Sequence, residues 1–202
     1  MYSPYVSLIQ KMFPNAQIII DTFHLVQLIS RSLNKTRIRA MKTNKSAYNK
    51  MKRYWKLILK DRNELDYSKW KRYTCFPDLM TEIDVVNYIL EQNIELKTTY
   101  YKYQELLQSI KEKDYSNFLY AINNVNNSVS DYMKTSIKTL TEFKDKIYNT
   151  FNNNYHNGYI EGNNNFIKVL KRIAFGFRSF RRFKARIMIC KNLLHVKKAN
   201  AF

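Results

Sequence analysis

Apolar residues recur at three- and four-residue spacings along almost the whole chain, the pattern of amphipathic helices. Tyr5, Leu8, Ile9 and Met12 mark a first helix over 2–13, with Ser3-Pro4 as its start and Pro14-Asn15 as its end. A second helix runs from Thr22 to Lys42 on Phe23, Val26, Leu33 and Ile38. Val86, Ile89, Leu90, Ile94, Tyr103, Leu107 and Ile110 line one long helix. Phe118, Ile122 and Val125 belong to another, and Tyr132, Ile137, Leu140, Phe143 and Ile147 to a third. Asp114-Tyr115-Ser116 and Asn126-Asn127-Ser128 are the expected breaks. An Asn-rich turn precedes a helix carrying Ile160, Ile167, Leu170 and Ala174. After the Gly-centred break Phe175-Gly176-Phe177, Ser179 reads as the N-cap of a last helix with Phe180, Phe183, Ile187, Cys190 and Leu194 on one stripe.

One segment departs from the helical period. Gln17-Ile18-Ile19-Ile20-Asp21 is a short β-branched run after a turn, which predicts a strand near 17–21 buried on both faces. A lone strand makes no sheet. Its neighbours are expected either from another chain or from the rest of a larger fold.

Composition sharpens the class. Three Gly and three Pro favour long helices, and 45% hydrophobic with 15% aromatic residues allows a substantial core. The fold class expected is mainly α. No run of 18 apolar residues occurs, the first residues lack a signal-peptide pattern, and Cys75 and Cys190 stand alone. Those features predict a cytoplasmic chain with no membrane partner, and nothing points to a small-molecule substrate.

Charge changes the picture more. The formal net charge of +19 comes from 35 Lys plus Arg against 16 Asp plus Glu, which points to a polyanion, nucleic acid first. Thr22–Lys60 holds eleven Lys or Arg and no acid, with Tyr54 and Trp55 among them. Such a face suits backbone contact plus base stacking; the alternative is a solvated face with its aromatics in the core. A second block of eleven lies between Lys168 and Lys198. Its candidate DNA contacts are Lys168, Lys171, Arg172, Arg178, Arg181 and Arg182.

Glu161 is the last acid in the chain and shares a helical stripe with Asn165, Lys168 and Arg172. A carboxylate flanked by amides and backed by cations could hold a divalent metal beside a phosphate backbone. It could equally serve the positive end of its own helix. Asp21 and His24 follow the expected strand, a common place for phosphoryl-transfer residues, although His24 also fits a packed histidine.

Several stretches together resemble a known family. Tyr2-Ser3-Pro4-Tyr5, Phe13-Pro14-Asn15-Ala16 and Ile19-Ile20-Asp21-Thr22-Phe23-His24-Leu25-Val26-Gln27 form one group. Asn34-Lys35-Thr36-Arg37 also fits. Asn157-Gly158, Glu161-Gly162, Asn164-Asn165, Ile167-Lys168, Lys171-Arg172, Phe175-Gly176-Phe177-Arg178 and Phe180 form the second group. In order and distance they resemble bacterial insertion-sequence DDE transposases of the ISL-three type. The resemblance implies the carboxy-terminal part of a ribonuclease-H-like core with a large helical insertion. It implies three carboxylates holding two Mg²⁺ ions for attack on DNA phosphodiesters. Glu161 matches the third carboxylate and metal ligand. Asp21 and His24 match a supporting signature, with Asp21 as second acid the alternative.

Departures accompany the match. In the family the second acid precedes the Tyr-Ser-Pro-Tyr segment, where this chain has Met1, and the first acid lies on a still earlier strand. His156, Tyr159 and Arg181-Arg182 also differ from the usual residues. The expectation is one truncated DDE domain: 1–60 a basic remnant of the core, 61–150 the helical insertion, 151–202 the Glu-bearing helix and the basic last helix. It would serve DNA transposition, bind DNA, and lack activity alone. Association with a full-length transposase is a further expectation. The alternative is a small basic helical nucleic-acid-binding protein without catalysis.

Overall fold

The computed structural model describes residues 3–153, 155 and 157–193. These residues form two compact units, Met1–Tyr155 and His156–Phe202.

In the first unit the helices are α1 (Ser3–Met12), α2 (Thr22–Thr43), α3 (Tyr48–Arg53), α4 (Trp55–Leu59), α5 (Glu82–Glu91), α6 (Ile94–Glu112), α7 (Tyr115–Asn123), α8 (Asp131–Glu142) and α9 (Lys144–Asn152). A two-residue antiparallel pairing of β1 (Lys71–Arg72) with β2 (Leu79–Met80) supplies the strands among the described residues, in register Lys71 to Met80 and Arg72 to Leu79. The mainly α expectation therefore holds. This small hairpin has no signal in the apolar pattern.

Local chemistry sets the helix ends. Asp21 caps α2 by accepting the Phe23 amide at 2.8 Å. The long helix expected over 86–110 is two helices, because the Asn93 side chain accepts the Leu96 amide at 2.8 Å and starts α6 afresh. Thr81 and Asp84 form a reciprocal capping box at the start of α5. Lys113, at φ 55°, closes α6 in the left-handed conformation, and Asp114 caps α7. The helix expected over 132–147 is likewise interrupted, at Phe143 between α8 and α9.

The strand expected over 17–21 does not form. Residues 17–20 are irregular, with Ile20 buried, and three of their backbone groups are bonded by side chains of α9. Thr150 Oγ1 accepts the Ile20 amide at 2.8 Å and is placed to donate to the Ile20 carbonyl at 2.9 Å or to that of Lys146 at 3.0 Å. Asn149 Nδ2 donates to the Ile18 carbonyl at 3.3 Å. A ladder partner is replaced by two polar side chains, so the β-branched run needs no sheet here.

The core is built round α2, which packs chiefly against α6 and α8. Leu25, Ile29 and Leu33 of α2 are fully buried, with Leu96, Tyr100 and Leu106 of α6 and Met133 and Leu140 of α8. Between these helices runs a seam of small hydroxyl side chains. Ser32 Oγ and Ser136 Oγ are 2.6 Å apart, and Thr36 Oγ1 lies 2.6 Å from Ser130 Oγ. The Ser130 amide donates to Thr99 Oγ1 at 3.0 Å. Small polar residues let the helices approach closely while every buried hydroxyl in the seam finds a partner. The same hydrophobic cluster includes Ile58, Leu65 and Phe76, so it crosses position 60 without interruption.

Two buried cations are held by carbonyls. Lys102 Nζ donates to Ala121 O at 3.1 Å, Asn124 O at 2.7 Å and Glu105 Oε2 at 2.6 Å, placing its charge at the carbonyl end of α7. Arg37 donates from Nη1 to Met51 O at 2.8 Å and from Nε to Asn34 Oδ1 at 2.9 Å, and burial lowers its pKa. Burial pushes the pKa of the Tyr100 hydroxyl up to about 12, against an opposing effect of the nearby Arg62.

Candidate nucleic-acid interface

The second unit contains α10 (Gly158–Ile173) and α11 (Phe180–Cys190), and neither helix has a buried residue. Asn157 precedes α10, and its carbonyl accepts the Glu161 amide at 2.9 Å. Glu161 therefore lies in the first turn, at the positive end of the helix. Asn165, Lys168 and Arg172 continue the same stripe, and all four residues are exposed.

The last turn of α10 carries the more distinctive geometry. Lys168, Lys171, Arg172, Phe175 and Gly176 line one surface concavity. The Phe175 amide donates to Arg172 O and the Gly176 amide to Lys171 O, each at 3.0 Å. Phe175 sits at φ 50° and Gly176 at φ 99°. The left-handed region is uncommon for an aromatic residue and costs about 1 kcal/mol or more. It turns the Phe175 ring out, fully exposed, beside three cations. A ring beside a cluster of cations has the chemistry to stack on an unstacked base.

Ser179 caps α11, accepting the Arg182 amide at 3.5 Å. Arg178, Arg181 and Arg182 are exposed. Phe177 and Phe183 pack at 4.7 Å between ring centroids, and Lys191 Nζ lies 4.6 Å from the Phe166 centroid. The first contact packs the turn on α11, and the second joins α10 to the residue after α11. The unit contains eleven Lys or Arg and one acid, Glu161.

In the first unit the basic block over Thr22–Lys60 divides between the two readings. Tyr54 turns inward, edge-on to Tyr73 at 5.3 Å. Trp55 and Tyr48 stay at the surface, with Lys56 Nζ at 5.8 Å and Lys52 Nζ at 5.8 Å over their respective rings. Tyr132, on α8, carries Lys35 and Arg39 over its ring at 5.7 and 5.1 Å. That pairing joins residues far apart in the chain, and no local spacing in the sequence signals it.

Asp21 and His24 stand at the start of α2 in the first unit. The carboxylate of Asp21 is engaged as the helix cap, and the exposed His24 ring lies edge-on to Phe23 at 5.6 Å. Glu161 belongs to the other unit.

The family described as Transposase, of the ISL-three DDE type, matches residues 1–187. The chain belongs to this family. A protein of Lactococcus lactis subsp. lactis named ATP-dependent protease is 42% identical to this transposase-family chain over 110 residues. The match covers 54% of the chain and 35% of that protein, about a third of its length. No solved structure matches.

DDE transposases use divalent metal in general. Among the described residues no group of three or more His, Cys, Asp or Glu could hold a metal ion. A two-ion centre needs several anionic oxygens, and Glu161 with its amide neighbours offers one carboxylate. The residues described do not fit that group.

Proposed function

We propose that this chain serves DNA transposition by gripping the DNA backbone with α10, α11 and the turn between them, with Glu161 in the place of the family's last catalytic acid. The observation that carries this reading is the last turn of α10. There Lys168, Lys171 and Arg172 line one concavity with a fully exposed Phe175, just past the end of the helix whose first turn carries Glu161. Cations neutralise phosphates and release counterions, which gives affinity without sequence preference. Arg178, before α11, and Arg181 and Arg182, in its first turn, are exposed and add cations to this unit. Because one carboxylate cannot serve three-acid chemistry, the isolated chain binds DNA without cutting or joining it.

The test is DNA binding by anisotropy across a salt series. Replacing Lys168, Lys171 and Arg172 by Ala lowers affinity and reduces the salt slope by about 2–3, near 0.9 per lost phosphate contact. Unchanged affinity and slope would remove these helices from the interface. Nicking of supercoiled DNA by the purified chain in Mg²⁺, abolished by Glu161→Gln, would show a complete centre and refute inactivity of the chain alone.

A second reading is a basic helical nucleic-acid-binding protein without catalysis, supported by the position of Glu161 as a simple helix-start charge. Under it, Glu161→Gln leaves every property alone or slightly raises DNA affinity. Association with a full-length transposase belongs to the first reading; failure to co-purify with one counts against it. The name of the Lactococcus lactis protein suggests ATP-dependent proteolysis there. In this chain glycines stand at 158, 162 and 176, without the spacing of a phosphate-binding loop, so transposition is the better reading.

A further inference from the structure

A cleft of about 500 Å³ on the first unit has walls that include Trp70, Phe76, Leu79 and Tyr88. Phe76 is buried and meets Tyr88 edge-on at 5.1 Å, which fixes the floor. Trp70 and Leu79 are 64% and 57% exposed, large apolar side chains open to solvent. Three acids, Asp78, Asp84 and Glu91, also line the cleft, and no Lys or Arg does. In a chain with 35 cations and 16 acids this lining is acidic, with Lys71 and Arg72 of β1 behind it, paired with Met80 and Leu79.

Asp84 is committed to the Thr81 cap. Asp78 and Glu91 are exposed and make no ion pair among the described residues. The aromatic floor already accepts one cation: Lys50 Nζ lies 4.3 Å from the Tyr88 centroid and 5.1 Å from that of Phe76, and donates to Tyr88 Oη at 2.7 Å. An acidic mouth over an apolar floor repels nucleic acid and suits a cationic helix with an apolar anchor.

This chain carries such a helix. Arg181, Arg182, Lys184 and Arg186 of α11 are exposed, the helix has no acid, and Phe180 is 78% exposed. We propose that the cleft is the docking site for α11 of a second copy of this chain. Reciprocal exchange gives two equal contacts and closes a dimer. Aromatic anchors in a pocket under a charged rim are the usual source of binding energy in such contacts.

Sedimentation of the full chain without DNA tests this, and its outcome is separate from the DNA-binding reading above. The wild-type chain sediments as a dimer at about 100 μM, and added salt weakens the dimer. Asp78→Lys with Glu91→Lys makes it monomeric at unchanged far-ultraviolet circular dichroism. Adding Arg181→Glu and Arg182→Glu to that variant restores association. Should the charge-reversed cleft fail to fold, Trp70→Ala decides, with a dissociation constant at least about tenfold higher. A monomeric wild-type chain, including one whose own α11 fills the cleft, or a dimer indifferent to these changes, overturns the proposal.

Discussion

Thr150 holds Ile20 by both of its backbone groups, across 130 residues of chain. The hydroxyl accepts the Ile20 amide at 2.8 Å and is placed to donate to the Ile20 carbonyl at 2.9 Å or to that of Lys146 at 3.0 Å. One side chain thus closes the segment before α2 onto α9. Thr150→Val keeps the shape and strands both groups, at a cost of about 1–3 kcal/mol. Thr150→Ser keeps the hydroxyl and most of the stability. Urea unfolding of the two variants separates them; equal midpoints would mean that the contact contributes nothing.

Lys102 is the second long-range clamp, with a side chain only 8% exposed. Lys102→Met retains the stem and removes the ammonium, leaving the Ala121 and Asn124 carbonyls without their donor. The expected loss is about 2–4 kcal/mol, since buried groups lose their partner in one step. Thermal unfolding measures it, and a stability equal to wild type would show that water replaces the ammonium without cost.

At Gly176 nothing lies within 4 Å of an added Cβ, so Gly176→Ala tests the backbone alone. With φ at 99°, the substitution costs about 1 kcal/mol or more. Amide hydrogens in the last turn of α10 should exchange faster, and DNA affinity should fall with the loss of the Phe175 turn. Unaltered exchange at Phe175 and Gly176 would refute the strain.

Phe175→Ala removes the ring and keeps the three neighbouring cations. If the ring stacks on a base, single-stranded DNA binds about tenfold more weakly, within the range of about 1–3 kcal/mol per stacked base, while duplex affinity changes little. Equal losses for both forms of DNA would argue for a purely electrostatic surface.

Acid stability follows from the carboxylates of the first unit. Burial would raise Asp61, but the Lys111 ammonium at 2.6 Å and the Asn63 amide outweigh it and hold its pKa below the ordinary 3.8. Lys60, at 2.9 Å, lowers Glu82 from 4.5 against a smaller effect of burial. Groups lowered on folding stabilise the protein above their unfolded values, and that stability disappears as pH falls through the folded ones. Lys111 is raised above 10.5 by Asp61 and Glu64, so its share is present below 10.5 and is lost at higher pH. The half-exposed Lys111 weakens these contributions through solvent screening. Stability curves over acid pH should therefore flatten in Asp61→Asn; an identical acid limb would exclude Asp61 as a contributor.

Most helices were legible because their causes are local. Asp21 and Ser179 cap the next turn from two and three residues away, and the stripe from Glu161 to Arg172 follows from helical spacing. The cationic surface of α10 and α11 was equally readable, since exposed charges on a regular helix need no tertiary partner. The protruding ring of Phe175 was not, because it depends on a left-handed backbone whose only trace in the sequence is the neighbouring Gly176.

Chain pattern alone determined a basic, mainly helical protein, because periodicity, capping chemistry and charge act over a few residues; its family was legible only through the resemblance of its motifs to ISL-three transposases. Tertiary structure decided where those properties point. A continuous apolar run such as 17–20 reads as a strand until Thr150 and Asn149 arrive from α9 to satisfy its backbone. Adjacent aromatics separate only on packing, Tyr54 turning to the core and Trp55 to solvent. The acidic cleft exists only because the loop at Trp70 and the hairpin are brought against α5. Contacts between distant residues depend on how helices pack against one another, and no local spacing records that.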